Sequence, residues 1–191
     1  MNVIENVSAV ILAGGKSSRM GKCKAELDFK GTPLIEHQAK KLAALGIEDI
    51  MISGYAKPIA GTRFVPDAYP HKGPLSGIHA ALAAARGEHC LVLAVDAPLV
   101  PEDTLHELIR AHLARSNSVT VLLHSGKIEP LIGVYASSLH SQCEQILMTD
   151  NTSVRELYKF SGVSSFPYIG DERFLLNCNT PEEYKTVCAI K

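Results

Sequence analysis

Val7-Ser8-Ala9-Val10-Ile11-Leu12 runs directly into Ala13-Gly14-Gly15-Lys16-Ser17-Ser18-Arg19-Met20-Gly21-Lys22-Cys23-Lys24. The first six residues are apolar or small on both alternating faces, as a strand buried on both sides of a parallel sheet must be. From Leu12 to Lys24, three glycines, four cations and two hydroxyls fall within thirteen residues. That is the composition of a phosphate-binding loop, because glycines let backbone N–H groups approach phosphate oxygens. Arg19 can fork onto two of those oxygens, and a lysine supplies a point charge. A basic turn on a solvated surface is the plainer alternative. The loop is not a Walker A motif, since Gly21-Lys22 is followed by Cys23, and it lacks the G-x-G-x-x-G of dinucleotide sites.

Outward from this loop, strand-length apolar runs alternate with helical patterns. Thr32 is placed to cap a helix opening at Pro33, whose Leu34, Ile35, Leu42 and Leu45 share a stripe that ends at Gly46. Strands are expected over 49–53 and 63–65, and an alanine-rich helix over 76–86. Cys90 to Val95 reads as a second fully buried strand, Pro101 opens another helix, and 119–123 and 131–135 are further strands. Helical patterns follow near 138–148 and 153–160. Thr180-Pro181-Glu182-Glu183 has the residues of a capping box for a last helix. Repeated strand-helix units of this kind predict an α/β fold, a Rossmann-like, doubly wound and mostly parallel sheet with helices on both faces. Ligands of such sheets sit beyond the carboxyl ends of the strands, which directs attention to the loops after Leu12 and Val95.

Composition narrows the partners. Nineteen Lys and Arg balance twenty Asp and Glu, leaving a formal charge of -1, so no global field draws the protein to nucleic acid or an anionic membrane. With 191 residues, one domain covering 1–191 is expected. Its five cysteines form no C-x-x-C pair, which predicts reduced thiols and a cytoplasmic protein. The eight histidines show no H-E-x-x-H spacing.

Three further places carry chemistry. Asp96 follows a buried strand, where a carboxylate is poorly solvated unless it meets a cation. Mg²⁺ takes one or two carboxylates and fills its octahedron with waters and substrate phosphates, so Asp96 suits an NTP-bound Mg²⁺; a turn or cap is the alternative. Asp67 can accept from guanine N1–H and its amino group, or close an Asx turn. The turn Lys72-Gly73-Pro74-Leu75-Ser76-Gly77 offers helix-terminal amides to an anion or a base edge.

Taken in order, Leu12-Ala13-Gly14-Gly15 with Ser17-Ser18-Arg19-Met20-Gly21 and Lys24, Gly31-x-Pro33-Leu34-Ile35-Glu36-His37, Gly73-Pro74-Leu75-Ser76-Gly77-Ile78, Val95-Asp96-x-Pro98, Glu129-Pro130-Leu131 and Asn177-x-Asn179-Thr180-Pro181-Glu182-Glu183 resemble the molybdenum cofactor guanylyltransferase family. The likeness spans nearly the whole chain and implies the fold of nucleotide-diphospho-sugar transferases. It implies transfer of GMP from GTP to the terminal phosphate of molybdopterin or Mo-molybdopterin, with release of pyrophosphate and Mg²⁺ as cofactor. It also implies transient contacts with molybdenum-cofactor biosynthesis or acceptor proteins.

By the same resemblance Arg19, Lys24 and Asp96 are catalytic, and Leu12, Ala13, Gly14, Gly15, Lys24, Ser53, Asp67 and Asp96 bind GTP, with Asp96 the metal ligand. Glu129, Arg155, Asn177 and Asn179 receive the acceptor, so the N-terminal half binds nucleotide and the C-terminal half the pterin. The chain departs from the family pattern at Cys23, where aspartate is usual, and at Ser53, where some members carry asparagine. A cytidylyl or sugar-phosphate transferase remains the alternative activity, and a non-catalytic nucleotide-binding module in cofactor delivery the alternative of another class.

Overall fold

A computed structural model describes residues 4–14 and 23–190. Gly15 and Arg19 therefore lie outside the described residues. Strand β1 (Val7–Leu12) is fully buried. Its side chains alternate: Ala9 and Ile11 join one apolar cluster, and Val10 and Leu12 the other. This period of two explains why every position of the run is apolar or small, since both faces of the strand are covered.

A two-stranded hairpin, β2 (Asp28–Phe29) and β3 (Thr32–Pro33), precedes helix α1 (Leu34–Ala44). Here the sequence expectation needs correcting: Thr32 pairs with Phe29 instead of capping, and the helix starts one residue after Pro33 with no side-chain cap. Strand β4 (Ile50–Ser53), strand β5 (Arg63–Phe64), helix α2 (Pro74–Ala84), strand β6 (His89–Ala94) and helix α3 (Glu102–Leu113) follow. Helix α2 begins two residues before the predicted start, at Pro74, which serves as its first-turn proline.

Strands β7 (Val119–His124) and β8 (Lys127–Ala136) form a hairpin, and helix α4 (His140–Leu147), strand β9 (Val163–Pro167) and helix α5 (Pro181–Ala189) complete the order. The segment 154–159 is a 3₁₀ helix rather than the α-helix its pattern suggests. At α5 the capping box forms in full: the Thr180 side chain accepts from the Glu183 amide, and the Glu183 carboxylate accepts from Thr180 N.

Among the described residues, seven of the nine strands form one sheet, in the order β5-β4-β1-β6-β8-β7-β9. All neighbouring pairs are parallel except the two that involve β8. Helices α1, α3 and α5 cover one face, with Leu34, Leu42, Leu105, Leu108 and Val187 in its cluster. Helices α2 and α4 cover the other, through Leu75, Ile78, Cys143 and Ile146. Successive strands depart from β1 in opposite directions, to β4 on one side and β6 on the other, so a crevice opens at the carboxyl ends of β1 and β6.

Polar groups buried in this framework are paired in sets. Ser8 donates to Asp49 at 2.6 Å, and Arg63 forks onto the same carboxylate at 2.8 and 3.1 Å, which holds Asp49 down at about 2 despite its burial. On the α3 side, His112 is 1% exposed and lies 3.0 Å from both Thr120 Oγ1 and His89 Nδ1. Burial and the neighbouring His89 lower its pKa to about 4.

Because that value lies below the ordinary histidine value, the unfolded chain gains a proton before the folded one does, and stability falls as pH drops from about 6.5 toward 4. A loss of about 2 kcal/mol is expected by about pH 5 relative to pH 8. Urea unfolding across this range checks it: His112→Gln should flatten the slope by about one proton, and an unchanged slope would contradict the assignment.

Candidate active site

The backbone at the end of β1 continues the sheet beyond its last residue. Ala13 N donates to Ser53 O at 2.9 Å, and Val95 N donates to Leu12 O at 3.1 Å. Leu12, Ala13 and Gly14 are thereby held between the ends of β4 and β6, at the crevice. Gly54 adopts φ +83°, and a Cβ there would collide with the Cα and N of Gly14. Only glycine permits this approach of two loop backbones. A Cβ at Gly77 would likewise press on Ser53 Oγ at 2.8 Å and Leu12 Cδ2 at 2.9 Å.

The crevice is a cleft of about 620 Å³ whose lining includes Leu12, Ala13, Gly14, Lys24, Ser53, Asp67 and Asp96, together with Leu131. Its size suits a drug-sized or nucleotide-sized ligand. Lys24 opens a short 3₁₀ turn, Lys24–Glu26, whose Ala25 is fully buried. Glu26 anchors the turn to the loop after β4, accepting from Lys57 Nζ at 2.5 Å and Tyr55 OH at 3.2 Å.

From that turn Lys24 Nζ reaches across the cleft to Asp96 Oδ2 at 2.8 Å and to Asn179 Oδ1 at 2.7 Å. The side chains of Lys24 and Asp96 are 19% and 20% exposed, so the pair is shielded but open to a ligand. The backbone of Asn179 is held in turn by the α5 capping box, its main-chain N–H donating to Glu183 Oε2 at 2.8 Å. Cys178 N donates to Asp96 O at 2.8 Å, which ties the same C-terminal segment to the Asp96 loop. Burial pushes the Cys178 thiol up to about 12, so this sulfur stays protonated beside the site.

Asp67 stands on the opposite wall. Its Oδ1 accepts from Tyr69 N at 2.9 Å, an Asx turn, and from the Ser76 hydroxyl in the first turn of α2. The carboxylate thus holds its own loop against α2 while also lining the cleft. The Asx turn read from the sequence is formed.

The proposed acceptor residues divide. Asn179 sits in the site, whereas Glu129 lies on β8 with Oε1 3.0 Å from His124 Nε2. Arg155 is exposed, at the start of the 3₁₀ helix, where its amide donates to Ser153 Oγ. Asn177 is half-buried two residues before Asn179. None of Glu129, Arg155, Asn177 and Asn179 is among the residues lining the cleft, and Asn179 alone is tied to it, through its contact with Lys24.

Two lining residues do not stand out in the linear sequence, Gly54 and His71. Gly54 ends a parallel strand on the ligand side of the sheet, a position that could have marked it. His71 adopts φ +69°, a left-handed conformation that a histidine between Pro70 and Lys72 does not announce.

Among the described residues no group of three or more His, Cys, Asp or Glu could hold a metal by itself. Asp96 offers one carboxylate, with Oδ2 taken by Lys24 and no hydrogen bond to Oδ1 among the described residues. This donor set fits a hard cation that shares its shell with substrate phosphates and water, and not a metal caged by protein.

Residues 9–164 match the family described as MobA-like NTP transferase domain. A protein of Carboxydothermus hydrogenoformans named as a probable molybdenum cofactor guanylyltransferase is 35% identical over 196 residues, covering 98% of this chain and 98% of that one. The molybdenum cofactor guanylyltransferase of Pseudomonas fluorescens is 33% identical, covering 96% of this chain and 94% of its own. In fold, the crystal structure of molybdopterin-guanine dinucleotide biosynthesis protein A from Archaeoglobus fulgidus superposes with a TM-score of 0.78 at 23% identity, over 94% of this chain and 96% of that one. A buried strand leading into Gly14, a lysine and an aspartate meeting at the switch point, and relatedness along almost the full length converge on one conclusion: the chain belongs to the MobA-like molybdenum cofactor guanylyltransferase family and is a nucleotidyltransferase.

Proposed function

We propose that the protein transfers GMP from GTP to the terminal phosphate of molybdopterin, forming molybdopterin guanine dinucleotide and releasing pyrophosphate. The observation that carries this reading is Lys24 Nζ, in the cleft that Gly14 and Asp96 also line, bridging Asp96 and Asn179. The relatives' names favour the guanylyl reading over cytidylyl or sugar-phosphate transfer and over a silent binding module.

In this reaction an acceptor phosphate oxygen forms a bond to the α-phosphorus, and the bond from that phosphorus to the α–β bridging oxygen breaks, its electron pair leaving with pyrophosphate. The nucleophile is already ionised near neutral pH, so no general base is required. Catalysis rests on in-line positioning and on charge neutralisation.

Each residue has a part in this. The backbone of Leu12, Ala13 and Gly14 borders the nucleotide. Lys24 places a cation where the negative charges of GTP and acceptor converge, and Asn179 orients its ammonium. Asp96 would hold Mg²⁺, which supplies charge neutralisation to the triphosphate when bound. Ser53 and Asp67 face the base side.

The acceptor enters over Asn179 and Leu131, which makes the chain one nucleotidyltransferase domain with nucleotide on its N-terminal half and pterin on its C-terminal half. Glu129, Arg155 and Asn177 lie on that acceptor half. No helix among the described residues is long and apolar enough to cross a membrane. A cytoplasmic location accords with the free thiols at all five cysteines, and transient contact with molybdenum-cofactor proteins is part of the same family reading.

Turnover of purified molybdopterin with each of the four NTPs tests the reading: GTP should be preferred, and equal or better use of CTP would overturn it. Asp67→Asn sharpens the test. Since Oδ1 serves the Tyr69 amide and the Ser76 hydroxyl, an asparagine keeps its oxygen there and turns its NH₂ to the cleft, donor against the donors of guanine. GTP preference should fall by about ten- to a hundredfold with little change for other NTPs. An equal loss for all NTPs would make Asp67 purely structural.

A further inference from the structure

Asp96 sits in a loop with no regular hydrogen-bond ladder, between the end of β6 at Ala94 and the start of α3 at Glu102. Its carbonyls are nonetheless collected almost one by one. Gln38 Nε2, on α1, donates to Ala94 O at 3.0 Å and to Ala97 O at 3.1 Å. Lys41 Nζ, one turn further along the same helix, donates to Pro98 O at 2.6 Å and to Val100 O at 2.7 Å. His37 Nε2 lies 3.2 Å from Pro98 O. Gln38 is 0% exposed and Lys41 6% exposed, within an otherwise apolar helix face that includes Leu34, Ile35 and Leu42.

Such burial is costly. An ammonium taken out of water loses solvation that carbonyl dipoles return only in part, and burial drags the Lys41 pKa down to about 8. Gln38 keeps its Oε1 buried with no partner among the described residues, a further cost. The orientation of the amide is set all the same, because only its NH₂ can face two carbonyls. A methionine or leucine at either position would join the apolar face at lower solvation cost. What the polar side chains add is a fixed backbone path through Ala97 and Pro98, directly after Asp96, whose own carbonyl accepts from Cys178 N.

We propose that Gln38 and Lys41 are positioning residues for catalysis: from beneath the loop they set the Asp96 carboxylate, against Lys24 and toward the metal-bound triphosphate, without touching substrate themselves. This rests on the role given to Asp96 in the proposed function. Small displacements of a charge-bearing group are enough to matter, since a misplacement of about 1 Å can cost about a hundredfold in rate.

The test compares Lys41→Met and Gln38→Met, which keep a long apolar stem and lose the donors, with Lys40→Met on the exposed face of α1 as control. Each variant is assayed for kcat and for KM of GTP, and its melting temperature is recorded. Binding of Mn²⁺ in the presence of a GTP analogue with an uncleavable α,β-methylene bridge is followed by the electron paramagnetic resonance signal of the free ion.

Expected for Lys41→Met and Gln38→Met is a fall in kcat of about tenfold or more with KM for GTP changed by less than about threefold, together with Mn²⁺ binding weakened by about fivefold or more. Lys40→Met should match the unaltered protein. Should one variant fail to fold, the other carries the comparison. A lowered melting temperature with unchanged kcat per folded molecule and unchanged Mn²⁺ affinity would overturn the inference and leave the two residues as scaffold alone. Asp96→Asn run in parallel separates the two levels: if it retains turnover, the reading of Asp96 itself falls, and if it loses turnover while both methionine variants keep theirs, only the positioning role falls.

Discussion

Asp96→Asn is expected to lower turnover by about a hundred- to a thousandfold, the loss of ~2.7–4 kcal/mol of charge stabilisation that removal of one such group brings. The substitution preserves size, and the backbone carbonyl at this position still accepts from Cys178 N, so the loop should keep its path. What disappears is the anion that Lys24 Nζ contacts at 2.8 Å and that would hold the metal of the triphosphate. Pyrophosphate release at saturating GTP and Mg²⁺, alongside a melting curve, measures both halves of the claim. Turnover within a few-fold of the unaltered enzyme would remove Asp96 from the chemistry.

The second large effect belongs to Lys24. Lys24→Ala should reduce kcat/KM for GTP by about two to three orders of magnitude, with a rise in KM as well as a fall in kcat. A cation that meets bound nucleotide in the ground state and developing charge in the transition state affects both parameters. Its stability cost should be small, about 1 kcal/mol or less, because the pair with Asp96 is partly solvated and a shielded surface pair contributes little. The variant also releases Asn179 Oδ1 from its 2.7 Å contact, so the acceptor KM should rise in parallel. Steady-state kinetics with each substrate varied in turn checks the split. A rise in GTP KM with kcat preserved would restrict Lys24 to ground-state binding.

Much of the frame was legible in the linear chain because it rests on contiguous patterns. Val7–Leu12 and Cys90–Val95 read as strands buried on both faces, and they became the adjacent central pair β1 and β6. The α5 capping box needs only four consecutive residues, and it formed as read. Thr32 was misread because a Thr-Pro pair before an apolar stripe suits a helix cap and a short strand equally, and tertiary pairing with Phe29 decided between them. Strand β9 escaped notice for a related reason: Val163-Ser164-Ser165-Phe166-Pro167 has weak apolar alternation and a terminal proline, which is tolerated because the strand lies at the sheet edge. The antiparallel direction of β8 was also hidden, since an apolar run carries no sign of which way its neighbour points.

By itself the order of residues determined the α/β class and the reaction family, both of which depend on local composition and on motifs spaced along the chain. The tertiary structure decided which of those residues meet. Lys24 lies 72 residues from Asp96 and 155 from Asn179, and nothing in their spacing says that one ammonium bridges both. That meeting follows from the sheet order, which brings β1 beside β6, and from α5 returning its capped N-terminus to the same crevice. The buried donors of α1 beneath the Asp96 loop were equally invisible, because Gln38 and Lys41 look like ordinary solvated helix residues until packing shows that carbonyls, and not water, receive their hydrogen bonds.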